Sequence, residues 1–252
     1  MRKIIAVLCI TVIALFTSTV QAQQQEPQEK LINDAFITAL NPYISNAVYN
    51  YYNEVKQYGL YDAKILEIKR ESEGGFSFIV KVQVTTFEAS HNPPYGTETI
   101  TMKVDPSGVK VMNYEHKGDE WEQKIKKFNN DVLMDIQKTF NLDLNGYQKY
   151  ESRQIFYQAE QDRNLKQLAN FNEDIVINVL NKEFTPPHKN VTEPFTFVKD
   201  DKAYIVYKKA DGTNILYTLR KENSNWVIIK KETKQGKVMP KELLWYMFKR
   251  IN

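Results

Sequence analysis

The chain has 252 residues, 34 Lys plus Arg against 31 Asp plus Glu, three His and one Cys, for a formal net charge of +3. An apolar share of 42% can build a core and a charged share of 26% covers an ordinary surface, so one large or two small domains are expected. Collagen-like, disulfide-knotted, polytopic membrane and wholly disordered chains are excluded.

Residues 1–22 read as a targeting segment. Arg2 and Lys3 form a basic start, Ile4 to Phe16 is an apolar run, and Val20-Gln21-Ala22 gives the small-residue pattern for cleavage before Gln23. The run is short for a membrane span, which needs roughly 20 apolar residues. The expected location is therefore secreted or extracytoplasmic, through a Sec-type signal cleaved after Ala22. The alternative is a single-pass anchor over residues 4–20. Cys9 lies inside the run and leaves with it, so residues 23–252 hold 32 basic side chains, 31 acidic ones and no thiol. Disulfides, thiolate metal sites and thiol nucleophiles are then excluded from the exported chain.

Residues 23–28 form a polar leader. From Glu29 to Val55, apolar residues recur at threes and fours (Leu31, Ile32, Ala35, Phe36, Ala39, Leu40, Ile44, Val48, Tyr51, Tyr52), which predicts an amphipathic helix split at Pro42 with Asn41 as a cap. Strands are predicted at Ala63 to Arg70, Phe76 to Phe87, Thr97 to Val104 and Val109 to His116. Glu71 to Gly75 and Asp105 to Gly108 are their turns. A helix followed by a four-stranded antiparallel meander over residues 29–118 is a cystatin-like or NTF2-like arrangement.

Residues 119–252 repeat the order of helices first and sheet last. Helices are predicted at Trp121 to Phe140 and within Ile155 to Phe184, with a break over Asn141 to Tyr150. Strands follow at Phe195 to Val198, Ala203 to Lys208, Ile215 to Arg220 and Trp226 to Lys231, with Asp211-Gly212 a tight-hairpin pair. Lys241 to Ile251 is predicted as a terminal helix. The fold class is α+β: a signal peptide, then two helix-plus-antiparallel-sheet halves, each expected to be cystatin-like or NTF2-like.

Tyr61-Asp62-Ala63-Lys64-Ile65, Phe78 to Val84, the loop His91-Asn92-Pro93-Pro94-Tyr95-Gly96-Thr97 and Tyr114-Glu115-His116 together resemble a DUF3888-like family of exported proteins from Gram-positive spore-formers. The resemblance covers about residues 29–118. It implies export and a domain limit but carries no activity.

One constellation stands out for its chemistry. A meander without irregularities sets Glu98 opposite Glu115 and Glu88 opposite Glu98, making one row of three carboxylates on the inward face. Directly opposed Cβ atoms lie about 4.5–5.5 Å apart, where like charges repel. Such a row calls for a cation, and His91 sits in the loop above it. Glu88, Glu98, Glu115 and His91 are thus the candidate metal ligands, for Ca²⁺ or, if His91 takes part, Zn²⁺. The bland alternative is that the carboxylates splay into water. His116 is expected to face the other side.

Charge supplies the second lead. The twelve basic and four acidic residues of 202–252 give that segment +8, while residues 23–201 carry −7. Lys208 and Lys209 contribute, and Lys230, Lys231, Lys234, Lys237, Lys249 and Arg250 are the candidate polyanion-binding residues. A cell-wall polymer or an anionic membrane surface is the matching partner, and export excludes nucleic acid. The sequence holds no G-x-S-x-G, His-Glu-x-x-His, phosphate-loop or dinucleotide motif. A non-enzymatic accessory or binding protein of the bacterial cell envelope is the leading expectation. The alternatives are a divalent-metal-binding envelope protein and a wall-active enzyme or enzyme inhibitor.

Overall fold

The computed structural model describes residues 27–88, 91–180, 182, 193–209 and 211–239. The signal segment, His188, the terminal helix expected over Lys241 to Ile251, and Lys249 and Arg250 lie outside the described residues. Among the described residues, no helix is long and apolar enough to cross a membrane.

Two compact units divide the chain, residues 1–39 and 40–252. In the first, the described part is the opening of helix α1 (Gln28–Tyr52), exposed except around Phe36 and Ile37. The second holds the rest of α1 and both sheets.

Helix α1 does not break at Pro42; it runs through it. Proline inside a helix costs about 3 kcal/mol. Leu40, Ile44, Ala47 and Val48 are all buried, and full burial of one large aliphatic side chain returns about 1.5–3 kcal/mol. Several such residues outweigh one proline. Asn41 is accordingly no cap: its Oδ1 accepts from the Tyr58 hydroxyl at 2.7 Å.

The first sheet comprises β1 (Gln57–Tyr58), β2 (Lys64–Arg70), β3 (Phe78–Glu88), β4 (Asn92–Asp105) and β5 (Gly108–Gly118), in the order β1-β3-β4-β5 with β2 also paired to β3. Val80, Val82, Val84, Ile100 and Met102 fill its buried face, following the period-two alternation of the sequence. At the β4–β5 turn, Asp105 Oδ1 accepts from Ser107 N at 2.8 Å, and Gly108 takes φ 139°, which favours glycine. Tyr52 and Asn41 tie the last turns of α1 to this half of the chain.

Helix α2 (Glu120–Phe140) follows at once. Asp119 caps it, accepting from Glu122 N at 2.8 Å, and Asn141 ends it in the left-handed conformation. The second sheet is β6 (Gln148–Tyr150), β7 (Phe195–Lys199), β8 (Lys202–Lys208), β9 (Thr213–Glu222) and β10 (Asn225–Gln235), ordered β10-β9-β8-β7-β6. Helices α3 (Ser152–Gln161) and α4 (Lys166–Ile175) lie between β6 and β7 in the chain.

Both faces of the second sheet are covered. Ile155, Leu165 and Leu168 pack with Ala203, Ile205, Tyr207 and Leu219, whereas Phe128, Val132 and Ile136 of α2 pack with Phe195, Phe197, Val206 and Leu216. Alternate residues of β8 point to opposite helical layers, which explains why Ala203 to Tyr207 is an unbroken apolar run. Strand β6 was hidden in the expected break, because its three residues are too short for any pattern. The architecture is α+β, with two antiparallel sheets.

Candidate functional site

Glu98, at the centre of a cluster of polar side chains, is completely buried. Its Oε1 accepts from Tyr52 at 2.7 Å and from Thr86 Oγ1 at 2.8 Å, and its Oε2 accepts from Tyr114 at 2.8 Å. His116 Nδ1 lies 3.0 Å from both carboxylate oxygens, and Nε2 lies 2.9 Å from Glu122 Oε2. Each nitrogen of the imidazole thus faces a carboxylate, Glu98 on one side and Glu122 on the other. Lys126 closes the chain at 2.8 Å from Glu122. Burial, together with the charge of Glu98, pushes the Tyr52 and Tyr114 phenols up. Glu122 is held below its ordinary range, burial being outweighed by Lys126 and His116.

A second ionic group lies where α1 ends. Arg153, at the start of α3, grips Glu88 at the end of β3 through two parallel bonds of 2.8 Å, Nη1 to Oε2 and Nη2 to Oε1. Lys56 pairs with the same carboxylate. Burial would raise the Glu88 carboxyl, but Arg153 and Lys56 hold it down at about 2. Glu54 meets the guanidinium only at long range, Oε2 to Nε 3.5 Å, and burial pushes its carboxyl up. Gln154 adds a bond to the Tyr52 carbonyl at 3.0 Å. The two halves of the chain are joined here.

Between these groups opens a cavity of about 530 Å³, lined by Tyr51, Tyr52, Glu54, Lys56, Glu88, Pro94, Glu122, Ile125, Lys126, Asn129, Asn130, Lys149, Glu151, Ser152, Arg153, Gln154, Glu193, Pro194 and Phe195. Its four basic residues each meet a carboxylate: Lys56 and Arg153 at Glu88, Lys126 at Glu122, and Lys149 at Glu151 at 3.1 Å. The Oδ1 of Asn129 is buried with no hydrogen-bond partner among the described residues.

The expected carboxylate row does not form. A bulge at Thr101/Met102 inserts Met112 into β5, so Glu98 faces His116, and Glu115 faces Thr99 on the exposed side. One extra residue reverses the side to which each later side chain points. That same shift corrects His116, which turns inward to Glu98. Strand β4 starts at Asn92 rather than Thr97, so Glu88 pairs with Asn92 and Glu98 with Val84. His91 packs its ring 4.2 Å from that of Phe87 and bonds Tyr61 at 2.9 Å, away from Glu98. Among the described residues, no group of three or more His, Cys, Asp or Glu is placed to hold a metal ion.

The basic residues of the chain's end also sort differently. Lys230, Lys231, Lys234 and Lys237 are exposed on β10 and just beyond it. Lys230 pairs with Glu232 at 3.1 Å, Lys231 lies over the Tyr217 ring, and Lys234 lies over that of Phe140. Lys208 is not a surface base. It is 2% exposed and donates to Asp135 at 2.6 Å and to the carbonyls of Gly212 and Lys237.

Glu54, Arg153 and Asn129 escaped the sequence reading. Glu54 follows the last helical turn without a motif, and Arg153 stands 65 residues from its partner Glu88. No local spacing signals such a pairing.

This is an α+β protein with a polar cavity between its two sheet-bearing halves. Residues 32–117 match the family model described as "Protein of unknown function (DUF3888)", so the first half is DUF3888-like, within the limits that the sequence resemblance suggested. No curated protein and no solved structure matches the chain.

Proposed function

We propose that this chain is an exported accessory protein of the bacterial cell envelope, which binds its ligand without transforming it, in the cavity of about 530 Å³. The cavity carries the reading. It is of ligand size, lined by convergent polar groups, and held by elements from both halves of the chain. A buried carboxyl at Glu54, pushed up by desolvation and loosely partnered, is an expense of stability that a binding site explains. The basic, apolar and small-residue pattern of residues 1–22 supports export.

Co-sedimentation of the purified protein with isolated cell wall, across a salt series, tests the reading. Retention is expected, and Asn130→Trp, which places a bulky ring at an exposed α2 position lining the cavity, abolishes it. Retention at low salt that survives Asn130→Trp but vanishes when Lys230, Lys231, Lys234 and Lys237 are neutralised would move binding to the basic strand β10. No retention at any salt would sink both.

A further inference from the structure

We propose that the cavity takes its ligand through a primary ammonium group, seated between Glu54, Asn129 and the tyrosine rings of its wall. The inference rests on the cavity being the binding site. It follows from what the wall lacks and what it already holds. Five glutamates and four basic residues line the cavity. All four bases are committed to carboxylates, through Glu88, Glu122 and Glu151. Anions would therefore find the cations occupied.

Hydrogen-bond donors, by contrast, are in demand. Asn129 Oδ1 is buried without a partner among the described residues, and buried acceptors are normally satisfied. Glu54 is 8% exposed, yet its contact with Arg153 is 3.5 Å, longer than a hydrogen bond. Arg153 spends its two terminal nitrogens on Glu88. A group with several donors and a positive charge answers both residues, and an ammonium has three donors and no acceptor. The wall already shows the fit of such a group, since the Lys56 ammonium lies over the Tyr52 ring at 5.3 Å. Tyr51 offers a second, half-exposed ring. A neutral polyol would satisfy Asn129 but add no charge beside Glu54, which meets Arg153 only at 3.5 Å.

Two sources carry this chemistry in an envelope: amino sugars and lysine side chains of peptides. Calorimetric titration of the purified protein distinguishes them with two matched pairs, a glucosamine tetrasaccharide and its fully N-acetylated form, and acetyl-Ala-Lys-Ala-amide and its Nε-acetyl-lysine form. One free amine is expected to bind roughly tenfold or more tighter than its acetylated partner, the scale of a charge-assisted hydrogen bond. Glu54→Gln should erase that preference while the protein unfolds at an unchanged or higher temperature, so misfolding does not confuse the result. Equal binding of free and acetylated forms, a preference that survives Glu54→Gln, or no binding of any of the four overturns the ammonium assignment. Cell-wall retention sensitive to Asn130→Trp would still stand in those cases, so the two readings fail separately.

Discussion

Glu88 illustrates how one side chain sets an acid limit. Its carboxyl titrates at about 2 in the folded chain against an ordinary 4.5, so its ion pairs contribute fully above pH 4.5 and are lost as pH falls through 2. Linkage bounds that contribution at about 3 kcal/mol. Urea unfolding across this window should show falling stability, and Glu88→Gln should flatten this part of the fall while lowering stability at neutral pH. Glu54 has the opposite sign. Its carboxyl is raised by burial, so its ionised form opposes folding, and Glu54→Gln should leave stability at pH 7 unchanged or slightly increased. Glu98 is different again, because four donors converge on it. Glu98→Ala strands two phenols, a hydroxyl and an imidazole, at a cost of about 3–5 kcal/mol, whereas Tyr114→Phe removes one bond and about 1–2 kcal/mol. Equal effects from the two substitutions would contradict the convergence.

At the scale of elements, α2 acts as the strut between the sheets. Its first turn carries Glu122 to His116, and its later turns bury Phe128, Val132 and Ile136 on the second sheet. Asp119 caps it and also takes the Tyr95 amide at 3.0 Å. Asp119→Ala should therefore cost somewhat more than the ~1 kcal/mol of a simple cap, read by thermal unfolding. Farther along, Asp135 is held low, burial being outweighed by Lys208 and by bonds from Asn214 and the Lys237 amide. Gly236 closes against this cluster so tightly that an added Cβ would lie 2.3 Å from Asp135 Oδ2 and 2.8 Å from Lys208 Nζ. Gly236→Ala should lose ~1–3 kcal/mol, because the added methyl meets the atoms of a buried ion pair. A neutral result at Gly236 would show that the end of β10 is free to move.

For the whole molecule, export makes the simplest prediction. Expressed in a Gram-positive host, the protein should be recovered outside the cytoplasm with a mass that begins at Gln23, and Ala22→Pro should leave the longer form. A cytoplasmic, full-length product would remove the envelope from the proposed function. The uneven charge matters at this scale too. Four of the twelve bases of residues 202–252 lie on or just beyond an edge strand, β10, where lysines and a bulge at Ile228/Lys230 discourage further strand pairing.

Much of the fold was legible in the sequence because it rests on local pattern. Period-two alternation located β3 and β4, turn residues such as Asp211-Gly212 bounded β8 and β9, three-and-four spacing located α1 and α2, and Asp105–Gly108 marked its own turn. Composition and the first 22 residues bounded the class of protein and the expected compartment. The site was not legible, because register and partnership are tertiary. A single bulge at Met112 decided that Glu98 would meet His116 and not Glu115. The earlier start of β4 carried Glu88 away from Glu98, to Lys56 and to Arg153 in the other half of the chain. Even the lone early cysteine and the mild average charge of +3, read correctly from composition, say nothing of which charges face a cavity. Backbone preference acts over a few residues, whereas the pairing of buried charges depends on which distant segments the packed core brings together.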